Sequence, residues 1–113
     1  MSEINDASIL AALGRQMTNA VARQSVAAGN LANLDTPGYR TKEVTFGDAL
    51  DAELAGPPSA HEAAGLPSRR DGNNVQLDRE LLSMNRAAGD FSAAQTALAA
   101  KFRLVRYAIN EGR

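Results

Sequence analysis

A chain of 113 residues with 13 acidic and 12 basic side chains lacks the basic footprint that a nucleic-acid partner needs, so nucleic acid is excluded as the main partner. It has no cysteine, which excludes disulfides and thiolate metal sites and leaves the redox compartment open. Hydrophobic residues make up 44%, but much of that is alanine, Trp is absent and aromatics are 4%; only one small domain with a thin core fits, and partners must supply further burial.

The first element spans residues 6–33. Leu10, Leu13, Met17, Ala20, Gln24, Ala27 and Leu31 follow at alternating steps of three and four, which predicts one helix with a single heptad-like stripe. Asp6 or Ser8 can cap its start. Asn33 can end it by adopting the left-handed conformation. Ahead of it, Met1-Ser2-Glu3-Ile4-Asn5-Asp6 is acidic and unlike a secretory signal, and no stretch approaches the roughly 20 apolar residues of a membrane span. The expectation is no direct membrane insertion, and either a cytoplasmic protein or one that leaves without signal cleavage.

Residues 34–73 hold all four prolines and most of the glycines. Gly56-Pro57-Pro58-Ser59 and Gly65-Leu66-Pro67-Ser68 break the chain, and Asp71-Gly72-Asn73-Asn74 is a turn cluster. Only Thr41 to Phe46 alternates like a strand, with Val44 and Phe46 on one side. The segment is expected to be an irregular loop without a core of its own, partly disordered.

Residues 74–110 return to helical periodicity, through Leu81, Met84, Ala88, Phe91, Gln95, Leu98, Phe102, Val105 and Ile109. Asp78 and Glu80 near the start, and Lys101, Arg103 and Arg106 near the end, suit the helix dipole. Gly89 costs about 1 kcal/mol against alanine, so packing compensates or a close neighbour needs the space. The fold expected is mainly α: one subunit, 1–113, with two long terminal helices in an antiparallel coiled-coil-like pair joined by the Pro/Gly-rich middle. A pairing of Leu10 with Ile109, Leu13 with Val105, Met17 with Phe102, Ala20 with Leu98 and Leu31 with Ala88 sets large against small. It also brings Gln24 to Gln95, either as a buried register-fixing pair or as two solvated edge residues.

No catalytic, cofactor or metal site is expected. His61 stands alone in the loop, without a nearby Ser or Cys nucleophile. Gly-Asn-Leu-Ala-Asn fits no phosphate loop, and Asp71 and Asp78 lack calcium-loop spacing. Arg69-Arg70 reads as a solvated turn. Asp78 and Glu80 point to different sides of their helix, a poor acid/base pair.

The informative stretch is Asn30-Leu31-Ala32-Asn33-Leu34-Asp35-Thr36-Pro37-Gly38-Tyr39. Its physics is a helix stop followed at once by a tight turn. Asp35 and Thr36 can bond nearby backbone N–H groups. Pro37 and Gly38 fit the central positions of a type II turn, and Tyr39 offers an apolar body with a polar tip for docking. Asn30, Ala32, Asn33, Thr36, Pro37, Gly38 and Tyr39 resemble the N-terminal signature of bacterial flagellar rod, hook and hook-associated proteins. Within that family the chain most resembles the proximal rod proteins, in length, in the block Asp71 to Glu80 and in the ending Lys101 to Ile109. The resemblance fades from about Ala52 to Arg70. Gln76 stands where an acidic residue is common, and Phe91 where tyrosine is expected. A sister proximal rod protein with a longer middle is the nearest alternative.

The resemblance implies a non-catalytic subunit of the helical drive shaft that transmits torque from the inner-membrane ring toward the hook. It implies export from the cytoplasm by the flagellar type III apparatus, location in the periplasmic rod, and terminal helices that fold on assembly. The implied partners are other copies of the chain, other rod subunits, and inner-membrane ring and rod-adaptor proteins. No cofactor is implied. Ile9, Val21, Ala28, Leu82, Leu104 and Ala108 lie off the stripes and are candidates for contacts between subunits, or scattered surface apolar residues. Phe46 and Leu50, four apart, resemble the short export-gate element of early rod and hook subunits, or pack on the chain's own helices. A soluble coiled-coil adaptor would explain the heptads but not the signature. A membrane-surface amphipathic helix would need more than Arg15 and Arg23 beside the first stripe.

Overall fold

In the computed structural model, residues 6–46 and 58–111 are described. Helix α1 spans Asp6–Ala32, strand β1 Lys42–Thr45, strand β2 Ser59–Glu62 and helix α2 Leu77–Glu111. Both helices are free of proline, and α1 is rich in alanine, the residue that loses least on entering a helix. Asp78 and Glu80 occupy the first turn of α2 as expected, but the helix continues to Glu111. Lys101, Arg103 and Arg106 therefore fall short of its last turn, which holds no basic residue.

The helices lie antiparallel. Asp90 on α2 is reached by Gln16 and Arg23, and Glu80 by Asn30, so partner numbers fall on α2 as they rise on α1. The buried layer between them is alanine: Ala20 and Ala27 on one helix, Ala87 and Ala94 on the other. Such small residues let two backbones approach closely, and the register differs from the expected one for that reason. Asp90, bridged from both sides of Ala20, lies opposite that turn. The expected opposite was Leu98, about two helical turns farther on.

The seam on α2 is displaced as well. Met84, Phe91 and Leu98 are half-buried as expected, but the intervening positions are Glu80, Ala87 and Ala94, each one residue before the expected Leu81, Ala88 and Gln95, which are exposed. Gln95 therefore forms no buried pair with the half-buried Gln24. On α1, Leu13, Met17 and Leu31 are half-buried and Leu10 is exposed. Phe102, Val105 and Ile109 are also exposed, against expectation. Beyond about Val105, α2 has no described part of α1 opposite it.

The middle is more ordered than an irregular loop. Strands β1 and β2 pair antiparallel, Lys42 with Glu62 and Thr45 with Ser59, and the N–H of Ala63 donates to Thr41 C=O at 2.8 Å to extend the ladder. Val44 is half-buried, whereas Phe46 is exposed. A two-stranded ribbon is marginal alone; here its base is fixed by the buried residues Thr41 and Ala63 and by the end of α1. The expected disorder, insofar as it concerns residues 47–57, and the expected role of Leu50 lie outside the described residues.

Candidate functional site: the signature clasp

The largest fully buried side chains are mostly polar: Glu80, Val75, Asn30, Asn73, Asn74 and Thr41. They gather where α1 ends, the hairpin begins and α2 starts, and the signature residues lie among them.

Asn30, 1% exposed, uses its whole amide. Its Nδ2 donates to Glu80 Oε1 at 2.6 Å and to the Lys42 carbonyl at 2.8 Å. Its Oδ1 accepts from the Lys42 N–H at 3.0 Å and the Tyr39 hydroxyl at 3.1 Å. An asparagine has two donors and two acceptor sites, and all four are taken. Toward Lys42 it acts as one more peptide group of a sheet, so one side chain joins α1, β1 and α2. Glu80 completes the link: its other oxygen accepts from Arg79 at 2.7 Å, and Arg79 also reaches Glu43 at 3.1 Å.

Asn33 ends α1, though not as expected, because no non-glycine residue among those described has positive φ. Its Nδ2 instead donates to the Gly29 carbonyl at 2.8 Å, satisfying one of the orphan acceptors of the last turn. The chain leaves by i to i−3 turns, with Asn33 N–H on Asn30 C=O and Leu34 N–H on Leu31 C=O. The Thr36 hydroxyl donates to Asn33 Oδ1 at 3.1 Å. Tyr39 N–H then closes on Thr36 C=O at 3.2 Å around Pro37 and Gly38, with Gly38 at φ 76°: the expected type II turn.

Asn73 and Asn74 answer from the other side. Asn73 Nδ2 lies 2.8–3.0 Å from the carbonyls of Asn33, Leu34 and Thr36, and its Oδ1 accepts the Val75 N–H. Asn74 Oδ1 accepts the Thr41 N–H at 2.6 Å. Arg69 donates to the carbonyls of Val75 and Leu34, so it is more than half of a solvated Arg-Arg turn. Gly38 N–H donates to Asp71 C=O at 2.7 Å, and Gly72, at φ 84°, sits against the Gly38 Cα. The two blocks of the sequence that carry the resemblance thus form the two halves of one clasp.

Nothing in the clasp is poised for reaction. Most of its amide atoms bond to backbone or to the side chains of Glu80, Tyr39 and Thr36, Asn74 Nδ2 is buried without a partner among the described residues, and no nucleophile stands beside a base among the described clasp residues. Among the described residues no group of three metal-ligating side chains gathers, and no helix is long and apolar enough to cross a membrane. His61, expected to be merely solvated, is exposed but lies 3.2 Å from Glu43. Ala32 and Pro37 are exposed members of the signature.

Residues 9–40, the face of α1 and the first half of the clasp, match the family model described as flagella basal body rod protein. The chain is 26% identical over 119 residues to the flagellar basal body rod protein FlgB of Bacillus subtilis, covering 89% of this chain and 92% of that one. It is 31% identical over 84 residues to FlgB of Escherichia coli, covering 51% of this chain and 61% of the relative. The chain thus resembles flagellar basal-body rod proteins of the FlgB type. This rod-protein family is a structural family rather than an enzyme family.

The structure does not gather all the site residues expected from sequence. Of the candidates for contacts between subunits, Val21, Ala28, Leu82, Leu104 and Ala108 are exposed. Ile9 is half-buried on the same side of α1 as Ala20 and belongs to the intrachain seam. Phe46 lies with its ring 5.9 Å from the Arg23 guanidinium. Asn73, Asn74 and Glu80 were read as a turn cluster and a helix start but given no part in a site, and the Arg23–Asp90 pair was missed. The Asp-Gly-Asn-Asn run of residues 71–74 was a signal for the first two; the pairings across the chain left none.

Proposed function

We propose that the chain is a structural subunit of the flagellar proximal rod and performs no catalysis. The observation that carries this reading is that the signature residues fold into a clasp that sets the register of two terminal helices, and not into a pocket that acts on a small molecule. A drive shaft needs subunits whose helices keep a fixed register under load. Torque then passes by lateral packing. The exposed Val21, Ala28, Leu82, Leu104 and Ala108 supply contacts to other copies, to other rod subunits and to the inner-membrane ring and rod-adaptor proteins. The chain leaves the cytoplasm through the type III export apparatus without signal cleavage and stands in the periplasmic part of the basal body.

Deleting the gene and restoring it on a plasmid tests the reading. Loss of swimming, with basal bodies stopped at the inner-membrane ring, is expected; normal hooks in the deletion strain would defeat it and favour a coiled-coil adaptor. Val21→Asp is expected to stop rod assembly with export intact. Docking of Phe46 and Leu50 on the export gate is a separate part of the proposal. Unchanged export of a Phe46→Ala, Leu50→Ala variant would remove it in favour of the contact between Phe46 and Arg23.

A further inference from the structure

Of the aspartates and asparagines in the sequence, Asp71 alone is followed by glycine. Glycine has no Cβ, so the nitrogen after Asp71 is unshielded and the backbone there turns freely. In an unfolded chain that pairing is reactive. The Gly72 nitrogen attacks the carbon of the protonated Asp71 side-chain carboxyl. An N–C bond forms, and the carboxyl O–H leaves with the amide proton as water. The product is a cyclic succinimide. Water then adds back at either of its two carbonyls. One opening restores aspartate; the other gives isoaspartate, in which the main chain runs through Cβ. The water lost is regained, so no oxidant or co-reactant is needed.

The folded clasp holds both reacting groups elsewhere. The Gly72 N–H donates to the Arg69 carbonyl at 2.9 Å. Asp71 Oδ1 accepts the Asn73 N–H at 2.9 Å, so the carboxylate is held to the second nitrogen after it and not to the first. The peptide between the two residues is pinned as well. The Asp71 carbonyl accepts the Gly38 N–H at 2.7 Å. Gly72, at φ 84°, packs on Gly38, whose Cα lies 3.4 Å from where a Cβ on Gly72 would stand. Burial does not give this protection, because Asp71 is exposed and Gly72 only half-buried. Water reaches the turn, and geometry alone withholds the reaction.

We propose that Asp71-Gly72 is a site of isoaspartate formation that the clasp shuts when it closes, so that the modification marks chains that have stayed unfolded. The mark is not neutral. Isoaspartate inserts Cβ into the main chain and turns the carbonyl that accepts from Gly38 into part of a free carboxylate. Beyond the insertion, Asn73 Nδ2 must still reach the carbonyls of Asn33, Leu34 and Thr36, and Asn74 Oδ1 the Thr41 N–H. Before it, Arg69 must still bond Val75 and Leu34. A lengthened turn cannot meet both sets, so a modified chain loses one half of its clasp.

The test ages the full chain at neutral pH in buffer and in unfolding urea. Isoaspartate is counted by the labelled methyl groups that protein isoaspartate methyltransferase transfers from S-adenosylmethionine, and is placed by peptide sequencing. Label should accumulate at residue 71 in urea and at least about tenfold more slowly in buffer, where only the open fraction reacts. Asn30→Ala, which opens the clasp without touching the reacting pair, should raise the rate in buffer toward that in urea. Gly72→Ala should lower the rate in urea, where no fold is at stake, because the added Cβ shields the nitrogen. Isoaspartate-bearing chains, separated by chromatography and returned to buffer, should unfold at a lower urea concentration than unmodified ones. Equal rates in buffer and urea, label placed away from residue 71, or an unchanged unfolding midpoint in the separated chains would each overturn the proposal.

Discussion

Asn30→Ala is the substitution that should cost the subunit most for the fewest atoms. The amide makes four hydrogen bonds, one of them to the buried Glu80 carboxylate. A neutral protein hydrogen bond contributes about 1 kcal/mol net and one to a charged group about 1.5–3 kcal/mol. Truncation also leaves the Lys42 N–H and C=O without that partner, so roughly 4–6 kcal/mol is expected, comparable to the whole stability of a small domain, about 5–15 kcal/mol. The assay is urea unfolding followed by helical circular dichroism, with thermal unfolding as a second probe. At roughly 4–8 °C per kcal/mol, the melting midpoint should fall by tens of degrees or the transition should vanish. Asn30→Asp should be at least as harmful, because it removes both donors and sets a second carboxylate against Glu80. In a double-mutant cycle, Glu80→Gln should restore part of that loss, since a glutamine amide can donate to the new carboxylate. If Asn30→Ala unfolds within about 0.5 kcal/mol of the parent, the clasp is not what holds the pair in register.

Four other substitutions separate the contributions. Asp90→Asn should cost no more than about 1 kcal/mol in the same unfolding assay, because the Arg23 and Asp90 side chains are 29% and 47% exposed and water screens such pairs. Gly72→Ala should cost about 1–2 kcal/mol for the left-handed backbone at φ 84°, whereas Gly89→Ala should stabilise the isolated subunit by nearly 1 kcal/mol, since nothing lies within 4 Å of the added Cβ. Thr41→Val should leave thermal stability unchanged or raised, because the buried Thr41 hydroxyl has no partner among the described residues while its N–H keeps Asn74.

What could be read from the sequence was what depends on near neighbours. The type II turn at Pro37-Gly38 follows from two residues and was found as expected. Both helices followed from their periodicity, and Tyr39 was read as a docking residue with an apolar body and a polar tip. Its partner Asn30 is nine residues away, and that of Asn30, Glu80, is fifty; no local pattern encodes such a pairing. Strand β2 was unreadable for another reason. Ser59-Ala60-His61-Glu62 is exposed at every position, so it shows no alternation, and it is a strand only because β1 lies beside it. Asn33 was assigned the right place and the wrong device, since an asparagine side chain that returns to Gly29 C=O ends a helix without any left-handed residue.

The division of labour between polar and apolar residues is the reverse of that in an independent domain. Here the largest fully buried side chains are a carboxylate, three amides, a threonine and one valine at one end, while Val21, Leu82, Phe102, Leu104 and Tyr107 stay exposed along the rest. Alanine layers contribute little burial per residue, so hydrophobicity alone cannot choose among the sliding registers of two alanine-rich helices. Directional bonds can, because a slip of even one residue would strand the buried Asn30 and Glu80 without their partners. In the proposed rod subunit, locating specificity in the clasp leaves the exposed large apolar residues available to other chains. That arrangement makes a subunit weak alone and strong in an array, since apolar surface covered by neighbours adds to stability only where those neighbours are present. If Val21, Leu82 and Leu104 contact neighbouring subunits as proposed, polar substitutions there should leave the unfolding curve of the isolated chain nearly unchanged and act on assembly, and substitutions in the clasp should do the opposite.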